Sequence, residues 1–170
     1  MTTRWIVLAL LATTSGGGQS QPPKELADYE TWPAVLKEPR EVPWNLAIMC
    51  SVPSPAMWKE AEKKYGPHVR RFIRVTGNSS AVAALAVPKE KRRFPAGASI
   101  AKAKFITSAY GTADGVGFMT KRDSPEFKDT GGWEFSYFPN GGEPRKTHQA
   151  CASCHRSAAS TDFIFGHYEP

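Results

Sequence analysis

ASIAKAKFIT, residues 98–107, alternates small or apolar side chains with lysines, and this two-residue period assigns the chain to a sheet fold. On that period Ile100, Lys102 and Lys104 share one face of a strand, and Ala101, Ala103 and Phe105 share the other. The lysine face has either to meet solvent or to present its amines to a bound group. Two further runs of strand composition follow, residues 116–121 and 133–138. Clusters of Gly, Pro and Asp set them off at hairpin spacing, which favours antiparallel pairing. Trp133, Phe135 and Tyr137 fall on one face, where they can cover a large flat ligand or simply fill a core.

Upstream, residues 69–76 (VRRFIRVT) have strand composition, and Gly77-Asn78 turns into a short Ala-rich helix closed by Pro88. Residues 56–65 read as a helix started by Ser54-Pro55 and ended by Gly66-Pro67. Residues 25–38 are helical in tendency but interrupted by Pro33, and the Pro-rich stretch 39–55 reads as coil. Towards the other end, residues 147–159 fit a short helix and 162–168 (DFIFGHY) a final extended segment. The expectation is one α+β domain, mainly antiparallel β-sheet with peripheral short helices, and not a four-helix bundle.

Composition agrees with a single core. The chain has 170 residues, 41% of them hydrophobic and 11% aromatic, too few for two ordinary domains. The net charge of +6 is spread along the chain, so nucleic acid is not an expected partner. Arg4, an apolar run over residues 5–12 and a small polar tail to residue 20 have the form of a signal peptide. The run is too short to span a bilayer. A mature domain over residues 21–170, with its core at about 30–168, exported and without a membrane span, is the expectation.

Three cysteines occur, Cys50, Cys151 and Cys154. Cys151-Ala-Ser-Cys154-His155 has the spacing of covalent haem c attachment: each thiol adds across one vinyl group, and the following imidazole ligates the iron. Other readings compete poorly. A redox dithiol belongs to an alternating strand and helix pattern, which is absent, and zinc needs a second ligand pair. A 151–154 disulfide would leave His155 unexplained. Cys50, in the apolar setting Ala47-Ile48-Met49-Cys50, reads as a buried small residue.

The iron's sixth position separates electron transfer from chemistry. Residues 156–170 hold no methionine, and Met49, Met57 and Met119 lie in apolar or helical stretches that suit core packing. His68 reads as a turn residue, and His148 is too near the attachment site to reach the opposite haem face. An open site for a small ligand is the expectation.

The order Phe94-Pro95-Ala96-Gly97, Ile100-Ala101-Lys102, Gly117-Phe118-Met119-Thr120-Lys121-Arg122, Gly132-Trp133-Glu134-Phe135, Cys151 to His155 and Asp162-Phe163-Ile164-Phe165 resembles the cytochrome P-460 family. That resemblance implies a β-sheet monohaem protein, often a homodimer, exported to the periplasm, with five-coordinate iron. In the hydroxylamine-oxidising members a strand lysine is cross-linked to the haem. The matching strand here offers Lys102, or Lys104 if the register slips by two. Those enzymes take hydroxylamine towards nitrous oxide or nitrite and pass electrons to an acceptor cytochrome. A sister group, the β-sheet cytochromes c-prime, lacks the cross-link and binds nitric oxide or carbon monoxide in an apolar pocket. A carboxylate facing the iron favours oxidation and a phenylalanine cap favours gas binding. Glu134 is the acidic candidate, and Phe72 and Phe118 are the candidate caps. Simple electron transfer ranks third.

Overall fold

In the computed structural model, residues 22–36, 39–43, 70–105, 110–140 and 148–165 are described. Five strands, β1 (Arg40–Pro43), β2 (Arg70–Gly77), β3 (Ser99–Phe105), β4 (Gly115–Lys121) and β5 (Trp133–Pro139), form one antiparallel sheet in sequence order. Among the described residues, each strand therefore pairs only with its neighbours along the chain. The register sets Val75 opposite Lys102, Lys102 opposite Gly117, and Gly117 opposite Tyr137. Partners across an antiparallel ladder share a face, so this row fixes the two sides of the sheet.

One side carries Val75, Ile100, Lys102, Gly117, Met119, Phe135 and Tyr137. Against it pack the helix α1 (Ser79–Leu85), the helix α2 (His148–His155) and the 3-10 turns of Arg156–Thr161. Its core includes Val75, Ala81, Leu85, Ile100, Trp133, Phe135, Ala152 and Ile164. The other side carries Ala101, Val116, Phe118 and Phe138, closed by Leu26, Tyr29 and Trp32. Fold class and strand positions agree with the alternation seen in residues 98–107.

α1 forms where the Asn78 carboxamide caps it. Its oxygen accepts from the N–H groups of Ala81 (3.0 Å) and Ser99 (3.1 Å), which ties the helix start to the start of β3.

Three local expectations change. The stretch expected to be helical over 25–38 is not a helix in its described part, 25–36: Lys24–Leu26 and Tyr29–Thr31 are single 3-10 turns. Beyond Pro33, which cannot continue a helix, Ala34 bridges to Thr76. Within the Pro-rich stretch, Arg40–Pro43 is an edge strand rather than coil, with proline at its end, where a missing N–H is tolerated. The expected extended segment at 162–168 begins as a left-handed turn, with φ of 53° at Asp162 and 65° at Phe163. The helix at 56–65 and Cys50, Met49, Met57 and His68 lie outside the described residues.

Candidate functional site

A three-residue step along a helix brings two side chains to neighbouring positions one turn apart, and a four-residue step does the same. In α2 this places Cys151, Cys154 and His155 together. Both thiols are part-buried, and Cys151 and His155 line a cleft between α2 and the sheet. His148, the first residue of the helix, anchors it: Nδ1 accepts the Phe135 N–H at 3.3 Å, and the ring packs on Phe127 and Phe135. His148 is thus a docking residue on β5, in line with its rejection as an iron ligand.

The imidazole of His155 is fixed from three directions. Phe135 and Phe165 pack on it with ring centroids at 4.8 Å each. Nδ1 lies 2.7 Å from the Phe163 carbonyl oxygen. A carbonyl can only accept, so Nδ1 carries the hydrogen and Nε2 presents a lone pair. Burial pushes the His155 pKa below its ordinary value. The Phe163 hydrogen bond pulls it up, and the nearby Lys102 charge adds to the lowering. A neutral imidazole with an oriented second nitrogen is the form that binds a metal.

Across the cleft stand Lys102 and Lys104, with Ile100, Gly117, Met119, Phe135 and Tyr137. The Lys104 ammonium lies 5.3 Å from the centroid of the Tyr137 ring. That ring leans over β4 where glycines leave room: a Cβ at Gly115 would stand 2.7 Å from Tyr137 Cζ. At Gly117 the nearest atom to a Cβ would be Tyr137 Cδ2 at 3.8 Å, so the missing side chain leaves a strip of open floor beside Lys102.

These residues fit a haem attached through α2. The walls are mostly apolar, the two thiols and an oriented imidazole come from one helix, and the cationic amines suit propionates. The cleft between α2 and the sheet is open to solvent and has a volume of about 150 Å3.

Two sets of candidates belong elsewhere. Phe118 is buried on the opposite side of the sheet, its ring edge-on to Tyr29 (5.4 Å) and near Phe138 (5.8 Å). Phe72 packs there too, against Ala103 and Phe105. Phe118 borders the cleft on β4, but neither ring caps it: Phe72 pairs with Phe105 and Phe118 with Ala101, and the register puts all four side chains opposite the lysine face. Glu134 also alternates away from Phe135 and pairs with Arg122 at 2.7 Å. Among the described residues, no carboxylate lines the cleft.

Met119 does line it, although its apolar setting had suggested core packing alone; it lies opposite both Ile100 and Phe135. The Phe163 carbonyl and the Phe165 ring were likewise not singled out in the sequence. A backbone acceptor leaves no mark in residue identity, and DFIF looks like strand.

A family model described as Cytochrome P460 matches residues 27–166. No curated protein matches the chain.

Proposed function

The chain belongs to the cytochrome P460 family, a family of haem-binding cytochromes, and from that premise we propose that it oxidises hydroxylamine towards nitrous oxide or nitrite at a single haem c. Cys151 and Cys154 would hold the haem covalently, and His155 would ligate its iron. The observation that carries the choice of reaction is the position of Lys102. It stands on the cleft side of β3, opposite Val75 and Gly117, close enough for its charge to act on His155.

When bound, the haem supplies the redox-active iron that takes electrons from the substrate on their way to an acceptor cytochrome. The protein's own groups do the rest. The two thiols would fix the macrocycle on α2, and His155 Nε2 would hold the iron while Nδ1 keeps its hydrogen on the Phe163 carbonyl. Lys102 places its amine on the cleft wall across from His155, where it would lie beside the macrocycle. Met119, Phe135 and Tyr137 shield the site from water.

Residues 1–20 support export to the periplasm. Among the described residues no helix is long and apolar enough to cross a membrane.

A second reading, binding of nitric oxide or carbon monoxide without oxidation, is favoured by one observation: no carboxylate stands among the described cleft residues to take a substrate proton. The rings of Phe72 and Phe118, the two candidate caps, lie on the other side of the sheet and do not add to it.

Mass spectrometry of the digested holoprotein tests the proposal. A Lys102 peptide carrying the macrocycle, with a red-shifted ferrous Soret band and hydroxylamine turnover, is the expected result. An unmodified Lys102 peptide with an ordinary c-type spectrum and no turnover would leave gas binding as the function.

A further inference from the structure

Asp162 is 6% exposed and carries a carboxylate into the interior, where a charge needs partners. It has them. One oxygen accepts the Phe94 N–H at 2.8 Å, and the other meets the Lys121 ammonium at 2.6 Å. Its own carbonyl accepts the Trp133 indole N–H at 2.8 Å. The backbone at this point is costly, since Asp162 and Phe163 are consecutive non-glycine residues in the left-handed region. Such strain persists where the surroundings hold it in place.

A further contact completes the clamp. Gly131, itself at φ +60°, lies so close under the Phe163 ring that a Cβ there would stand 2.6 Å from Cε2. The result of these constraints is the direction of one group, the Phe163 carbonyl, which receives the His155 Nδ1 hydrogen at 2.7 Å.

We propose that Asp162 is a positioning residue for the axial imidazole: through the Asp162–Phe163 turn, the Lys121 and Phe94 contacts at the sheet edge set the hydrogen bond that tunes His155 as an iron ligand. A hydrogen bond from Nδ1 gives the imidazole more anionic character and strengthens its donation from Nε2. The same bond therefore favours ferric over ferrous iron. The inference rests on the reading of His155 as the haem ligand.

The experiment uses the holoprotein and three variants, Asp162→Ala, Asp162→Asn and Lys121→Gln. Asparagine tolerates the left-handed turn, so Asp162→Asn keeps the backbone while removing the charge. The iron–imidazole stretching band of the ferrous protein and the reduction potential are measured beside the melting temperature. The expected band shifts to lower frequency and the potential rises, most in Asp162→Ala, less in Asp162→Asn and least in Lys121→Gln.

If the variants melt earlier but keep the wild-type band and potential, Asp162 serves the fold alone and the inference is overturned. Should Asp162→Ala fail to load haem, the other two variants decide by the same criterion. A wild-type protein without haem, after expression with a haem-attachment system, would sink the reading of His155 itself rather than the role of Asp162.

Discussion

The two faces of the sheet are built from alternate residues of the same strands, yet they solve opposite problems. Behind the sheet, Ala101, Val116 and Phe118 are nearly fully buried beneath Leu26, Tyr29 and Trp32. That side is closed by aromatic edges, with Phe118 edge-on to Tyr29, Trp32 and Phe138. In front, the same strands offer Lys102, Lys104 and two glycines, and the cover consists of a helix bearing two thiols and an imidazole. A sheet can thus put its stability on one set of positions and its chemistry on the next, one residue away.

Exchanging the character of neighbouring positions breaks the contrast most severely. Ala101→Lys would place an amine in a site with 0% exposure, and burying an unpaired charge belongs to the few mechanisms that cost more than about 4 kcal/mol. Urea unfolding should find the variant largely unfolded, since whole domains have only about 5–15 kcal/mol.

Phe118→Ala should be milder. Removing a buried phenylalanine costs about 3–5 kcal/mol, but the haem spectrum and ligand binding of the folded fraction should match wild type. A changed spectrum would show that the back face is not separate from the cleft.

On the front, Gly115→Ala forces a methyl group against Tyr137. Overpacking of this kind costs about 1–3 kcal/mol, and moving the ring should change ligand-binding rates as well as the melting temperature.

Lys102→Met sharpens the comparison from the other direction. Because Lys102 lines the cleft, the melting temperature is measured beside the chemistry. Hydroxylamine turnover and any modified Lys102 peptide should disappear.

The smallest effect concerns alkaline pH. Burial, then the Glu30 charge, pushes the Tyr29 pKa from 10.0 up to about 12. A group whose folded pKa is raised contributes stability that is complete below the unfolded value and is lost as pH rises through the folded one. Unfolding free energy should therefore fall between pH about 10 and about 12 in wild type, and fall less steeply in Tyr29→Phe.

The alternation in residues 98–107 was enough to assign each residue of β3 to a face, because that property is local. Whether Phe72 or Phe118 shares a face with Lys102 depends on pairing between strands. A one-residue change of register would reverse the answer, so composition and period could not place them. The attachment motif was legible because its chemistry fixes its spacing. Its supporting turn was not: Asp162 and Phe163 carry φ values that strand-like residues rarely adopt. The one local hint was aspartate, which tolerates the left-handed region better than most residues. The edge strand Arg40–Pro43 was hidden for a different reason. It is short, and the prolines around it resemble a loop.

Pairing only between sequence neighbours also has a temporal consequence. The β3–β4 and β4–β5 links, residues 106–114 and 122–132, are short and close at a smaller entropic cost than distant pairings, so the ladder β3 to β5 can assemble early. It is complete at Pro139, before the segment that bears the thiols. We expect α2 to dock last, leaving Cys151 and Cys154 accessible for the proposed haem attachment on a chain whose sheet already exists. Pulse-labelled hydrogen exchange should protect the strand amides ahead of those in His148–His155; simultaneous protection would refute that order.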